Sequence, residues 1–223
     1  MRSRQEIKAN ARFAIREQRG QSILTVLLVM IVVALGSMFN IIPGGILGSW
    51  IVLGTVYFVD LPLTVNSAGI FTKIYNRERA SAEELFSNFP VNYLRKVGGM
   101  LWMGLFVALW SLLLFIPGVI KAYSYSMAPF ILANCPNVTA RDALKLSMRM
   151  TNGHKMDLFI MHLSFIGWGL LSLLTCGILS IVFTGPYMQA TSAGYFVELR
   201  DKAIATGTIH HSEFYPEYNT RLQ

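Results

Sequence analysis

An all-α, polytopic membrane bundle is what this sequence predicts, and three observations predict it. Charge is missing from long stretches. The cations that remain are bunched between those stretches. Tight Gly- and Pro-bearing turns divide the apolar chain into hairpins.

The charge gaps come first. Of the 223 residues, 53% are hydrophobic and only 14% are charged, where a soluble domain carries about a quarter. No Asp, Glu, Lys or Arg lies between Arg19 and Asp60, between Lys96 and Lys121, or between Asp157 and Glu198. A helix crosses the hydrocarbon core with about 20 apolar residues. The first and third gaps therefore hold two crossings each. The middle gap holds one, with more apolar chain after Lys121. A soluble core helix would show charge on one face every turn or two.

The net charge of +7 does not point to nucleic acid, because of where it sits. Segments 1–20, 73–96, 141–155 and 200–223 hold 18 of the 19 Lys and Arg residues, and only Lys121 falls outside them. The short loops 40–45, 116–118 and 175–177 carry no charge at all. By the positive-inside rule both termini are cytoplasmic, and anionic lipid headgroups at that face are the expected contact.

Taken in order, residues 1–20 read as an amphipathic helix at the cytoplasmic interface, with Ile7, Ala11, Ala14 and Ile15 on one face and basic residues around the rest. The other reading of this segment is a solvated extension of the first span. A cleavable signal peptide is not expected: Glu6 and Glu17 lie in the basic region and no clear small-x-small site follows the apolar run. The membrane domain, 21–197, is expected to hold six spans, at about 22–39, 46–71, 97–115, 119–133, 158–175 and 178–197. The fourth either crosses fully or is re-entrant. Asn40–Gly45, Ile116–Gly118 and Cys176–Gly177 are the outer turns. Ser81 and Glu84 read as a capping box opening a short helix with Leu85, Phe86 and Phe89 on its apolar face. Thr139 reads as the N-cap of a second short helix, with Ala143, Leu144, Leu146 and Met150 on one side and Thr151–His154 as its stop. Residues 198–223 read as a cytoplasmic tail, partly disordered. Each returning span carries one proline, Pro62, Pro129 or Pro186. This fits either three serial hairpins or the general tolerance of proline in membrane helices. The lone GxxxG pair is Gly44–Gly48; Gly194 has no such partner.

Ionisable and polar residues inside spans are the functional candidates. Asp60, Lys121, Tyr125 and His162 are the candidate cavity or ligand-binding set. A direct Asp60–Lys121 pair is not expected, since their depths differ by on the order of 15 Å. Each has a structural alternative: Asp60 beside a kink, Lys121 snorkelling to the outer interface, His162 bonded across helices. The run Lys121, Tyr123–Ser126 with Pro129 makes the fourth span the polar, irregular element. It should be buried against the first three spans, with hydroxyls or water on the carbonyl that Pro129 frees near Tyr125. Arg141, Lys145, Arg149 and Lys155 form a candidate cytoplasmic docking helix; the alternative is a helix that seals the hairpin floor. No Cys/His spacing suits zinc, and Cys135 and Cys176 fall near opposite faces. No metal or cofactor is expected. No H-E-x-x-H, Walker A or G-x-S-x-G motif points to an enzyme.

The run Phe115–Lys121, then Tyr125, Pro129–Asn134, Pro136 and Ala140–Lys155, resembles a bacterial membrane-protein family of unknown function, numbered nine-seven-five and frequent in Firmicutes. Phe165–Trp168, Pro186–Thr191 and the Arg19-Gly20 end of the basic start fit it too. Cys135 departs from it, standing where the family tends to have Asp. The resemblance implies a bacterial plasma-membrane protein and carries no activity. Two function classes stay open. One is a non-enzymatic membrane module that docks a membrane-protein partner or a second copy, or that modulates the envelope. The other is a small-solute or lipid transporter with a cavity near the fourth span.

Overall fold

A computed structural model describes residues 2–38, 54, 56–175 and 177–215. The turn expected at Asn40–Gly45, the Gly44–Gly48 pair, the start of the second span, Cys176 and the tail from residue 216 lie outside the described residues. Among the described residues the chain is all helical.

Helix α1, Arg4–Glu17, opens on a closed capping box. Ser3 Oγ accepts from Glu6 N at 3.2 Å and Ser3 N donates to Glu6 Oε2 at 2.8 Å. Those bonds hold the Glu6 carboxyl below its ordinary value. The expected face is the buried one: Ile7, Ala11 and Ala14 are buried. What covers it differs from the expectation. The face packs on the protein's own helices α3 (Leu61–Tyr75) and α11 (Gly185–Ala205) rather than on lipid. Gly194 of α11 makes this approach possible. A Cβ there would stand 2.7 Å from Tyr75 Cζ and 2.9 Å from Ile7 Cγ2, closer than real side chains sit. Gly194 thus has a packing role that pattern reading did not assign.

After α1 the chain turns by 95° into α2, Arg19–Met38. Gln18 and Gln21 at the bend stitch down the following loop. Gln18 accepts from Ala80 N and donates to Glu78 O, and Gln21 accepts from Ala82 N. In that loop the capping box expected at Ser81 does not close. Ser81 Oγ accepts from Glu83 N instead, and the Glu84 carboxylate is drawn away to Lys73. Short helix α4 is Glu84–Ser87. It buries Leu85 but leaves Phe86 exposed.

Helix α5, Tyr93–Leu113, reverses at a single extended residue, Leu114, into α6, Phe115–Tyr125. The expected turn Ile116–Gly118 is therefore already helical. Pro117 is tolerated in the first turn because its missing N–H has no helical acceptor there. Gly118 lets the two helices close, since a Cβ there would meet Ser111 Cα at 2.7 Å. The chain breaks at Ser126–Met127 and restarts as α7, Ala128–Asn134. Arg95 closes the C-terminal end of α7 by donating to the carbonyls of Leu132, Cys135 and Val138.

Helix α8, Ala140–Thr151, starts as expected with Thr139 Oγ1 accepting from Asp142 N at 3.2 Å, and buries Ala143, Leu144, Leu146 and Met150. Helices α9, Lys155–Leu163, and α10, Ile166–Leu174, follow. A π-helical turn, Ser180–Thr184, leads into α11. That helix runs eight residues beyond the expected end of the sixth span, and α12, His211–Phe214, packs back with Ile209 and Phe214 fully buried. Residues 198–215 are thus part of the folded body rather than a loose tail.

One regularity joins the three returning segments. Pro62, Pro129 and Pro186 each stand in the first turn of a helix that restarts after a break. The breaks are the π-helical turn Val56–Asp60, the bend at Ser126–Met127 and the π-helical turn Ser180–Thr184. Proline disrupts the bond to the carbonyl four residues earlier. For Pro62 that carbonyl is Phe58 O, and Tyr93 Oη donates to it at 2.7 Å.

Candidate functional site

The break before Pro129 organises the polar centre of the molecule. Ser124 O, released near the end of α6, accepts from Ser147 Oγ at 2.8 Å and from Thr151 Oγ1 at 3.2 Å. Ser147 Oγ in turn accepts from Met127 N at 3.3 Å. The hydroxyls that the freed backbone needs are there, but they come from α8. The segment is buried chiefly against α5 and α8, not against the first three spans as a set. Ser147 and Thr151 were missed as partners in the sequence; their four-residue spacing on the apolar side of α8 was the available signal.

Around this centre the four candidate residues fall into two groups. Tyr125 is buried, its ring 6.4 Å from Phe106. Lys121 Nζ lies 5.2 Å from the Trp110 ring centre, 5.9 Å from that of Tyr125 and 4.0 Å from Met148 Sδ. The ammonium lies among aromatic faces and a thioether of α8. His162 joins through Tyr123, ring centres 5.6 Å apart. Its Nδ1 stands 2.9 Å from Leu158 O. A carbonyl only accepts, so that nitrogen carries the proton. His162 bonds back to its own helix rather than across helices.

Asp60 stands apart. It occupies the N-cap position of α3 but makes no side-chain cap bond, and its Oδ1 is buried without a partner. No ion pair joins it to Lys121 among the described residues, as the depth argument expected.

The basic residues of α8 are mostly engaged within the chain. Arg141 lies over Trp102 at 5.5 Å. Lys145 pairs with Asp142 at 3.3 Å. Arg149 pairs with Glu213 and donates to Thr208 O, which holds the Glu213 carboxyl below its ordinary value. Lys155, at the start of α9, is half-buried. The helix packs its apolar side on the body, and the Lys145 side chain, 69% exposed beside Asp142, projects away from it.

Chemically, the centre solvates a broken backbone and half-buries one ammonium among rings. It sets no nucleophile beside a base. No group of three or more His, Cys, Asp or Glu residues that could hold a metal occurs among the described residues. The fold and this centre define an all-helical protein with a packed body and protruding apolar hairpins. Residues 112–203 match the model of a family described as "Protein of unknown function (DUF975)". The match covers α6 to α11 and bears out the family resemblance over that stretch. No curated protein and no solved structure matches the chain.

Proposed function

We propose that this chain is a multi-pass protein of the bacterial plasma membrane, with both termini cytoplasmic, and that it acts as a non-enzymatic module docking a membrane component. The observation that carries the reading is the exposed apolar surface of the hairpins. Leu112 is 90% exposed, Phe115 77%, Leu173 77% and Leu174 81%. Apolar patches of this extent need a partner phase. Tyr93–Leu113 and Lys155–Leu174 are long and apolar enough to cross a bilayer, and the bent pair α1–α2 adds a third candidate. Anionic headgroups are the expected contact where Arg12, Arg16 and Arg19 rim a crevice of about 310 Å³ floored by Ile15, Trp168, Phe183 and Tyr187. A transporter reading has less support, because Lys121 and Tyr125 do not line that crevice, and its other candidate, Asp60, lies apart.

Depth favours a second topology over six full crossings. Lys202 Nζ meets His154 Nε2 at 2.8 Å, at the basic end of α11. Three residues before His154, Thr151 bonds Ser124 O. From Ser124 to the tip at Phe115 is nine residues, a rise of about 14 Å. In the third hairpin Lys8 of α1 contacts Ser164 and lies over Phe165, leaving about 15 Å to Thr175. Both tips reach roughly half of a hydrocarbon core about 30 Å thick. Outside these two hairpins α2, at 20 residues, has full reach. The test uses single cysteines in a background lacking Cys135 and Cys176. Gly45→Cys should label only from outside and Gly153→Cys only from inside; both labelling from one side defeats the orientation. Ile116→Cys and Thr175→Cys label from outside if all six segments cross, and from neither side if the hairpins are re-entrant.

A further inference from the structure

At the start of α5 lies a cavity of about 210 Å³ that neither the anchoring surface nor the polar centre uses. Its charged and amide lining comes from four stretches of chain: Asn66 and Lys73 of α3, Glu84 and Asn88 around α4, Asn92, Arg95 and Lys96 at the start of α5, and Asn134 of α7. Three cations therefore face one carboxylate, and that carboxylate is taken. Lys73 Nζ and Glu84 Oε2 are 2.7 Å apart.

Arg95 and Lys96 touch no carboxylate among the described residues. Lys96 is only 5% exposed, and its Nζ donates to Asn66 Oδ1 and Asn88 O, both at 2.6 Å. Arg95 donates its Nη protons to three backbone carbonyls. Every one of these acceptors is neutral. A buried ammonium or guanidinium is costly without a counter-charge, even when hydrogen-bonded. Donors also remain unused. Arg95 Nε is buried with no partner, and a lysine ammonium has three protons where Lys96 spends two. The Asn92 side chain caps none of the opening N–H groups of α5, so the positive end of a 21-residue helix adds to the same potential.

We propose that this cavity binds a phosphate dianion between Lys73, Arg95 and Lys96, either free phosphate or the phosphomonoester headgroup of a lipid. Three cations less the Glu84 carboxylate leave a fixed charge of about +2, which a phosphomonoester near pH 7 offsets and a single carboxylate does not. Donors converging from separate segments suit a tetrahedral oxyanion. The proposal does not depend on the membrane reading, since free phosphate can be tested in detergent.

The experiment takes the full chain in mild detergent and titrates inorganic phosphate by calorimetry against chloride. In parallel, the chain is reconstituted in phosphatidylcholine vesicles doped with phosphatidic acid and re-extracted, and retained lipid is read by native mass spectrometry. Saturable phosphate binding assigns the free ion; selective retention of phosphatidic acid assigns the headgroup. Either supports the site, provided Lys96→Met and Lys73→Gln weaken it, Lys96→Met by about tenfold or more on the strength of a charged hydrogen bond. If Lys96→Met does not fold, Lys73→Gln decides, because that ammonium is partly exposed. Wild-type protein that binds neither ligand overturns the proposal, and so does binding left unchanged by Lys73→Gln.

Discussion

The helices that meet around Gly194 and the hairpin tip at Leu112–Ile116 are made of much the same apolar residue types, yet they end in opposite environments. In the body, Ile7, Phe71, Tyr195 and Phe196 are fully buried, and Gly194 lets α1, α3 and α11 close on one another. At the tip, Leu112 through Ile116 are 62–90% exposed. The difference lies in the partners. The body alternates large residues with Gly and Ala, so that surfaces interdigitate at interior density. The tip is a run of large side chains around a one-residue reversal, with no element packed over it among the described residues. It fits an apolar medium, and its stability should owe little to packing.

That contrast can be tested by substitution, beginning where packing is densest. Phe196 is fully buried and stacks on Phe130 at 5.6 Å. Phe196→Ala should cost about 3–5 kcal/mol, read as reduced unfolding stability in detergent. A near-neutral result would mean that the body is no better packed than the tip.

Next comes the polar centre. Ser147→Ala strips Ser124 O of its shorter hydroxyl bond and Met127 N of its acceptor. Leaving buried backbone groups short of partners should cost about 1–3 kcal/mol. Thr151→Val should cost less, because Ser147 still serves Ser124 O. Equal losses in the two variants would contradict this ordering.

The tie between α8 and α12 is weaker. Arg149 and Glu213 are both more than a third solvent-exposed, so Arg149→Ala should cost about 1 kcal/mol or less. The pH sign follows from the lowered Glu213 carboxyl. Its contribution is complete above the ordinary carboxylate range and is lost as pH falls through its depressed folded value. Arg149→Ala should therefore flatten the acid limb of the stability profile and leave the neutral plateau nearly unchanged.

The smallest effect belongs to the tip. Leu173→Ala should shift stability in detergent by about 0.5 kcal/mol or less. Leu173→Lys at the same place should instead reduce recovery in the membrane fraction. A large detergent effect of Leu173→Ala would show that a protein surface, not acyl chains, covers this hairpin.

Rules that act within one or two turns could be read from the chain directly. The cap at Thr139, the buried faces of α1 and α8 and the interruption before Pro129 follow from local bonding and helical period; the box at Ser3 obeys the same local rule but was passed over in the sequence. Ser81 shows where such rules stop: its box fails because Lys73, eleven residues before Glu84, outbids the local backbone for the carboxylate. Partners distant in sequence were decided by tertiary structure alone. Period marks Ile7 as buried but cannot say that Tyr75 and Gly194 bury it rather than lipid. Proline 129 signals an interrupted helix, yet only the packing of α8 brings Ser147 and Thr151 to Ser124 O. Lys73, Arg95 and Lys96 each read as ordinary flanking cations, because a charge cluster assembled from α3 and α5 has no spacing within either segment. Whether a basic residue serves orientation or a site depends on which charges stand across from it, and that is a property of the folded chain.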